Sequence, residues 1–373
     1  MVTRIETVEA FPVSLPRDRE AARGTAGSPT ELGARAGAYQ WSNTVATVYS
    51  KRFETTLVKI TLDNGLVGWG EAQAPVLPGV TTAIIDGLLA GVLTGELFDG
   101  TRTRIEELWR RMYQTMRVRG QTGGFMLDAI SGLDIALWDL GGKLANLPVS
   151  QLIAGNQATA RVPAYLSGLA GDDRVAFAAK HFDLGFRVFK IFYDAGGPAL
   201  LSLLDDLRAR LGPQARLAVD ALWRLQWPAD KEFIDELSAR NLEWLEAPFM
   251  PDLHHPHLSA RLALGESYRT VRELQPLLSV TDILQPDLGR SGITETLRWA
   301  ALGKPIVPHV SIAMGPQIAA AIHVCAALAN APLCEYNPTV FTFANQYLRQ
   351  PLVMTNAEYV VPDGPGLGIE VTF

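Results

Sequence analysis

The chain has very little cysteine and little charge. Its 373 residues include two cysteines, Cys325 and Cys334, whose spacing matches neither a disulfide framework nor a set of metal ligands. Charged residues make up 19% of the chain, and no lysine or arginine run offers a surface for nucleic acid. We therefore expect a protein of the reducing cytoplasm that has no nucleic acid partner.

Charge is missing altogether from residues 305 to 334, which raises the question of a membrane span. Pro308, Gly315, Pro316 and Pro332 interrupt this segment. Such breaks are typical of strands and loops around a buried helix. We expect no membrane association.

The first 125 residues have the pattern of one α+β unit. The stretches "RIETVEAFPVSL" and "ETTLVKITLDNGLVGWGEA" alternate as antiparallel strands do, and Asp63-Asn64-Gly65 supplies a turn within the second. Between the two, residues from about 16 to 44 are rich in glycine, alanine, serine and arginine, which predicts a long irregular loop. Residues 81 to 118 carry helical periodicity.

The pattern of apolar and polar residues changes after residue 125, where short apolar segments alternate with amphipathic helical stretches. The eight apolar segments are "VPAYLSG", "RVFKIFY", "LAVDALW", "EWLEAP", "LALGES", "DILQPDL", "PIVPHV" and "LCEYN". Eight strands that alternate with helices predict a (β/α)8 barrel over residues 126–340. Residues 341–373 end in strand-like segments and are expected to return to the first unit.

Most of the predicted barrel strands carry a titratable residue near the C-terminal end. The C-terminal ends of barrel strands open on one mouth, so these side chains are expected to share a pocket. In chain order they are Lys190, Asp220, Glu246, Glu266, Asp287, His309 and Glu335.

Asp220, Glu246 and Glu266 lie on three consecutive predicted strands. Each of them alone is as well explained as a solvated strand-end acid. Three carboxylates at one mouth repel one another, and a divalent cation removes that repulsion. Oxygen ligands without thiolate or imidazole favour Mg²⁺, with Mn²⁺ as a substitute, so the spacing of the three acids predicts a metal site.

His309 follows Asp287 by one β/α unit. A single histidine in an apolar run is more often a core residue. An aspartate on the neighbouring strand, however, would fix the tautomer of the imidazole and raise its basicity. The pair therefore predicts a general acid and base beside the metal.

Taken together, these motifs resemble the enolase superfamily, in its mandelate racemase subgroup. The resemblance covers nearly the whole chain and rests on "SGLDIALWDLGGK", "GFRVFKIFYD", "VDALW", "WLEAP", "GES", "ILQPDLGRSGITE", "IVPHV", "CEYNP" and "VPDGPGLGIE". It implies a modified (β/α)8 barrel under an α+β capping domain built from both termini, with the loop of residues 16–44 covering the substrate.

The resemblance also implies the chemistry, which is Mg²⁺-assisted removal of the proton α to a carboxylate to give an enediolate. Glu335 is implied to be catalytic as well. Muconate-lactonising relatives carry a lysine shortly after the sixth-strand aspartate, whereas Arg290 follows Asp287 here. The mandelate racemase side of the superfamily is therefore favoured.

Two positions depart from the family pattern. The second strand of the family usually ends in Lys-x-Lys, and here Lys190 matches the first lysine while Phe192 replaces the second. Leu222 replaces the asparagine of the third-strand Asp-x-Asn motif. The resemblance then implies that Lys190 stabilises the enediolate and that His309 is the one proton carrier. In the other register, Lys190 would be the second lysine and a second base.

One proton carrier suits the syn dehydration of a sugar acid, because the same histidine can remove the α-proton and then protonate the leaving hydroxyl. A racemase, an epimerase or a sugar-lactone cycloisomerase is the alternative, and a barrel that has lost catalysis and only binds is a third. The substrate is expected to be a small carboxylate whose identity the sequence leaves open. Analogy with relatives favours a homo-oligomer.

Five further residues are expected to line the substrate pocket. Phe192 and Leu222 would give it apolar walls, and Trp223 follows directly after the third-strand motif. Tyr39 and Arg23 belong to the segment expected to cover the barrel mouth, where loops commonly contact substrate.

Overall fold

A computed structural model describes residues 2–16, 29–31, 37–42, 47–169 and 173–373, without the side chains of 29–31. Arg23, one of the predicted pocket residues, lies outside the described residues. Within the described ranges, no helix combines the length and the apolar composition that crossing a bilayer requires.

The N-terminal unit combines two antiparallel sheets with helices. Its elements are β1 (Thr3–Pro16), β2 (Pro29–Glu31), β3 (Tyr39–Ser42), β4 (Thr47–Ser50), β5 (Arg52–Leu62), β6 (Val67–Ala72), α1 (Pro78–Ile84), α2 (Ala90–Leu93), β7 (Leu97–Phe98), α3 (Arg102–Arg117), α4 (Gly124–Ala145) and α5 (Val149–Ala154). The larger sheet has the order β6-β5-β1-β7, and the smaller one has the order β2-β3-β4.

The predicted antiparallel pair and its turn are confirmed. Strand β1 runs against β5 with Val8 opposite Ile60, and β5 turns back into β6 through residues 63–65. Strand β5 is buried along most of its length, because it lies in the middle of the sheet and helices cover one face. The prediction of helix in "RIEELWRRMYQTM" is also confirmed by α3.

The prediction of an irregular loop over residues 16–44 was wrong for the parts of that segment that the structure describes. Pro29–Glu31 and Tyr39–Ser42 are strands, and the second pairs with Thr47–Ser50. The stretches "YQWS" and "TVYS" are rich in the aromatic and β-branched residues that favour strands. The glycine and alanine content around them masked this local signal.

The second unit is the barrel. Its elements are β8 (Arg161–Leu166), α6 (Arg174–Asp183), β9 (Val188–Phe192), α7 (Gly197–Leu211), β10 (Arg216–Asp220), α8 (Lys231–Ala239), β11 (Leu245–Glu246), β12 (Leu262–Leu264), α9 (Val271–Leu274), β13 (Ile283–Leu284), α10 (Leu288–Ala300), α11 (Pro316–Ala327), β14 (Cys334–Tyr336), α12 (Pro338–Asn345), β15 (Val353–Thr355) and β16 (Glu358–Val360). Parallel pairing runs from β14 through β8, β9, β10, β11 and β12 to β13.

The seventh barrel segment, "PIVPHV", is not a regular strand. It joins the barrel through two isolated parallel bridges, Leu284 with Ile306 and Asp287 with His309. Pro305 and Pro308 have no backbone N–H to donate, so a continuous ladder is not available to this segment. The second bridge places the predicted acid and base side by side.

Helix α4 joins the two units. It is buried on nearly every side, and two glycines of β6 let it approach the cap sheet closely. A Cβ on Gly70 would overlap the carbonyl oxygen of Gly132 and would lie 2.8 Å from the backbone nitrogen of Ala136. On its other side, Trp138 of α4 donates to Thr294 of α10 at 2.9 Å. Cap and barrel are therefore packed through one helix.

The chain after residue 340 lies against both units. The hairpin of β15 and β16 adds antiparallel to β8, the first barrel strand. Gly366 forms a bridge with Pro148, and the backbone of Leu367 donates to Asp139 of α4 at 2.8 Å. The domain boundaries predicted at residues 125 and 340 remain predictions.

Candidate active site

A cavity of about 440 Å³ opens at the C-terminal ends of the barrel strands, a size suited to a small organic acid. From the cap it is lined by residues 47–50, Gln73, Pro75 and Val76. From the barrel it is lined by eight residues that the sequence predicted for the site: Lys190, Phe192, Asp220, Leu222, Trp223, Glu266, His309 and Glu335.

A larger hollow of about 940 Å³ lies away from the strand ends, between the cap and the C-terminal segment. Its two lysines are already paired, Lys59 with Glu9 at 3.1 Å and Lys143 with Asp139 at 2.7 Å. The smaller cavity is therefore the better candidate, because the buried titratable groups converge there.

Lys190 is 1% exposed and is surrounded by acids. Its Nζ lies 2.6 Å from Glu246 Oε1, 3.0 Å from Glu335 Oε1 and 3.7 Å from Asp220 Oδ2. Burial lowers the pKa of Lys190, but the charges of Glu246 and Glu335 outweigh it and hold the pKa well above its ordinary value. With these acids around it, Lys190 is an ammonium group, which can stabilise negative charge.

Glu246 lies beneath the cavity and is fully engaged. Its Oε1 accepts from Lys190, and its Oε2 accepts from Trp244 Nε1 at 2.9 Å and from Gln285 Nε2 at 2.7 Å. Its neighbour Asp220 accepts one hydrogen bond from the residues that the structure describes, at Oδ1 from the backbone of Leu222 at 3.0 Å. Burial and the charge of Glu246 raise the pKa of Asp220 well above its usual range.

The three predicted metal ligands come from consecutive strands, and Asp220 and Glu246 are direct neighbours in the parallel ladder. As the side chains stand, the described part of the chain shows no group of three acids, histidines or cysteines arranged to hold a metal ion. The reason is that Lys190 takes Glu246 and His309 takes Glu266. The donor set still fits a divalent cation, since all three ligands offer carboxylate oxygens and Asp220 Oδ2, 3.7 Å from Lys190 Nζ, accepts no hydrogen bond from the described residues.

The predicted pair of His309 and Asp287 meets at hydrogen-bond distance. His309 Nδ1 lies 2.9 Å from Asp287 Oδ2, and His309 Nε2 lies 2.9 Å from Glu266 Oε2. Burial lowers the pKa of His309, but Glu266 and Asp287 outweigh it and raise the pKa well above its ordinary value. The pKa of Glu266 is about 2, because the charge of His309 outweighs the effect of burial.

Glu335 links the two cationic side chains of the site. Its Oε1 contacts Lys190, and its Oε2 accepts from the backbone of Val310, the residue after His309, at 2.8 Å. Burial raises the pKa of Glu335, but Lys190 and His309 outweigh it and the pKa is lowered. An ionised Glu335 therefore fixes Lys190 beside the cavity.

Three of the residues that line the cavity, Phe192, Leu222 and Trp223, are apolar or aromatic. The ring of Phe192 lies 5.7 Å from Lys190 Nζ, in the position where a second lysine was missing from the sequence motif. Leu222 and Trp223 both have a φ of 54°, a left-handed conformation that non-glycine residues rarely adopt. Strain of this kind next to Asp220 is typical of functional sites.

Tyr39 is not among the residues that line the cavity. Its hydroxyl accepts a hydrogen bond from the backbone of Leu77 at 3.2 Å and so holds the cap segment that follows β6. The substrate contact expected of Tyr39 stays a prediction.

Sequence reasoning missed several polar residues around the site. Gln285 donates to Glu246, and it could have been found because it lies two residues before Asp287, directly after β13, where strand alternation predicts the same face. Gln317 donates to Asp287 from helix α11, far along the chain, and no spacing in the sequence points to it. Gln73 and Ser311 join cap and barrel at the cavity through a hydrogen bond of 2.6 Å.

Comparison with known proteins agrees with this arrangement. A family model described as "Enolase C-terminal domain-like" matches residues 173–372. A second, described as "Mandelate racemase / muconate lactonizing enzyme, N-terminal domain", matches residues 39–154. The two matches thus cover most of the barrel and of the cap.

Individual relatives match nearly end to end. D-galactarolactone cycloisomerase of Agrobacterium fabrum is 33% identical over 353 residues, which span 86% of this chain and 91% of that protein. D-galactonate dehydratase of Pectobacterium atrosepticum is 28% identical over 84% of this chain and 88% of its own length. The crystal structure of an enolase-superfamily member from Agrobacterium tumefaciens has a TM-score of 0.90 and 29% identity, covering 100% of this chain and 97% of that one.

The C-terminal model alone spans more than half of the chain, and the cap over a barrel mouth lined with acids is the architecture that the motifs implied. The chain belongs to the enolase superfamily, among its mandelate racemase-like members.

Proposed function

We propose that this protein catalyses a Mg²⁺-dependent syn elimination that begins with removal of the proton α to a carboxylate, and that its substrate is a sugar acid that loses water. The observation that carries the proposal is the asymmetry of the cavity. The cavity is lined by His309, whose Nδ1 contacts the buried Asp287, and by the apolar ring of Phe192, which lies beside the Lys190 ammonium group. Such a site offers one proton carrier, which is enough for a syn elimination.

Asp220, Glu246 and Glu266 would hold the Mg²⁺, which when bound supplies positive charge to the substrate carboxylate and lowers the cost of forming the enediolate. Mn²⁺ would serve as a substitute. Lys190 adds a fixed positive charge at the same place, and Glu335 keeps it there.

His309 carries the proton. Asp287 accepts from Nδ1 and leaves Nε2 as the basic atom that faces the cavity. In the ion pair with Glu266, Nε2 carries a proton, so the pair has to open and this proton has to leave to solvent before Nε2 can take the α-proton. The same Nε2 then returns the proton to the departing β-oxygen, so water leaves from the face on which the proton was removed.

A second candidate is the opening of a sugar lactone by the same α-proton removal. The observation that favours it is the 33% identity with D-galactarolactone cycloisomerase, against 28% with the dehydratase. When the ring oxygen of a lactone leaves as a carboxylate, it needs no proton from His309. The two reactions therefore differ in their need for a general acid in the second half of the reaction.

The walls of the cavity narrow the substrate class. Phe192 and Leu222 replace two polar side chains of the family motifs, and Val48, Val76 and Ile312 also line the cavity. We propose that the substrate carries few hydroxyl groups on the side that faces these residues.

A panel of sugar acids and sugar lactones incubated with the protein and Mg²⁺ tests the proposal, with formation of a 2-keto acid as the readout. Product is expected from at least one acid of the panel, and it should disappear with a chelator and in His309→Asn. Turnover of lactones alone would favour the second candidate. Undiminished turnover after metal removal would contradict both.

A further inference from the structure

We propose that Gln317, on helix α11, is a positioning residue for the acid/base pair, because it fixes the carboxylate of Asp287 in the orientation that His309 needs. This inference rests on the proposed role of His309 as the proton carrier. Gln317 does not line the cavity, and its side-chain donor contacts Asp287, so we expect its effect on the reaction to pass through that carboxylate.

The two oxygens of Asp287 have separate partners. Oδ2 faces His309 Nδ1 at 2.9 Å, and Oδ1 accepts from Gln317 Nε2 at 2.8 Å and from the backbone of Gly289 at 2.9 Å. Two donors on one oxygen prevent the carboxylate from rotating. The remaining oxygen is then held in line with the imidazole, which keeps a proton on Nδ1 and leaves Nε2 as the nitrogen that takes up and releases the reacting proton.

The amide oxygen of Gln317 also supports a functional role for this residue. Gln317 is fully buried, and its Oε1 has no hydrogen-bond partner among the described residues. Turning the amide would place Oε1 against the Asp287 carboxylate, so its orientation is fixed. A buried acceptor without a partner costs stability, and an apolar side chain of this size would avoid that cost. The residue is therefore best explained by the bond that Nε2 makes.

The surroundings leave Gln317 no freedom to move. A Cβ on Gly289 would lie 2.7 Å from Gln317 Oε1 and 2.9 Å from the backbone nitrogen of Gln73, so the glycine makes room for both glutamines. The backbone of Gln317 donates to Glu71 Oε2 of the cap at 3.2 Å, and Glu71 Oε1 accepts from the backbone of Met314 at 2.7 Å. The cap therefore holds the start of α11, and α11 holds Asp287.

The test compares Gln317→Leu with Gln317→Glu and with Ile318→Val, a change at a buried neighbour on the same helix that has no polar contact. Gln317→Leu removes the donor and the unpartnered oxygen together, and Gln317→Glu keeps the shape but replaces the donor by an acceptor. We expect kcat to fall about tenfold to a hundredfold in both Gln317 variants, with KM within about twofold of wild type. Thermal stability of Gln317→Leu should equal or exceed that of wild type.

A second readout needs no substrate. In ¹⁵N-labelled protein, the Nδ1–H signal of His309, identified by its loss in His309→Asn, should broaden or shift in both Gln317 variants and stay in place in Ile318→Val. Wild-type kcat together with an unchanged signal in Gln317→Leu would overturn the inference. If wild type turns over none of the tested acids but the signal moves, the positioning role holds and the proposed function fails.

Discussion

A lysine in the middle of a buried strand needs a partner or a task. Lys190 has three partners within 3.7 Å, and they are acids that the sequence assigned to a metal and to catalysis. Because these acids hold the ammonium group, Lys190 contributes positive charge to the site. A second base would therefore have to stand at position 192, where this chain has phenylalanine.

Phe192→Lys tests the missing base. The new amine would lie close to Lys190, whose charge lowers the pKa of a neighbouring ammonium, so a fraction of it should be deprotonated. We expect slow epimerisation at the α-carbon, which wild type should not perform. Chiral chromatography of recovered substrate measures it, with Phe192→Leu as the size control. A folded variant that binds substrate but shows no epimerisation would mean that position 192 does not face the α-carbon.

His309→Asn should lower α-proton exchange by about 10³-fold, because a positioned general base contributes of that order. Fold and Mg²⁺ affinity should stay near those of wild type, since the substitution removes no predicted ligand. Circular dichroism and metal titration check these two points. His257→Asn, in an exposed loop, is the matched control and should keep full activity. Wild-type exchange in His309→Asn would assign the base to another residue.

At the scale of elements, the close packing of β6 against α4 holds the cap on the barrel. Gly70→Ala would push a methyl group against the carbonyl of Gly132 and the backbone of Ala136, and neither can move away without shifting the helix. We expect a loss of about 3 kcal/mol in the free energy of unfolding, as overpacking of a rigid contact usually costs.

Gly79→Ala is the control for this prediction, because nothing lies within 4 Å of a Cβ at Gly79. Its effect should be within about 1 kcal/mol of wild type and can be stabilising, since alanine favours the helix. Urea unfolding with unchanged slope compares the two variants. Equal stability of Gly70→Ala and Gly79→Ala would contradict the close packing of β6 on α4.

Elements with strong periodicity could be predicted from the sequence, and elements that depend on tertiary contacts could not. The alternation in β1 and β5 and the helical pattern of α3 were sufficient. The strands Tyr39–Ser42 and Thr47–Ser50 were missed because they are short and pair mainly with each other. Seven titratable side chains were predicted to share a mouth, because the barrel repeats their spacing. Five of them line the cavity, whereas Glu246 and Asp287 are buried and do not line it. The engagement of Glu246 by Trp244 and Gln285 could not be predicted, since it depends on side-chain orientation.

At the scale of the whole molecule, Glu71 ties the cap to the barrel and makes the stability depend on pH. Burial raises its pKa from 4.5 to about 7, although the backbone of Met314 and of Gln317 lowers it, and the charge of Asp287 raises it further. The folded state then holds a proton that the unfolded state releases. The stability from this group is present below about pH 4.5 and is lost as the pH rises through 7.

Between about pH 5.5 and pH 8, Glu71 alone should reduce the free energy of unfolding by about 2 kcal/mol. In Glu71→Gln the free energy of unfolding should fall by about 2 kcal/mol less over the same pH range, because glutamine does not titrate. Denaturant unfolding at the two pH values measures it. Burial also raises the pKa of Asp134 to about 7, although hydrogen bonds from Thr294 lower it. Asp134→Asn therefore offers a second test of the same kind. Parallel declines in wild type and Glu71→Gln would show that Glu71 does not titrate in this range.

The central claim is that the barrel mouth carries one proton carrier, His309, and that the opposite wall has none. Incubation of the unmodified protein with Mg²⁺ and a substrate, or an analogue that has an α-proton but no leaving group, in deuterated water tests it most directly. We predict that the α-position takes up deuterium with retained configuration, and that the other epimer neither forms nor exchanges. Efficient interconversion of the two α-epimers would contradict the one-carrier site and, with it, the preference for an elimination.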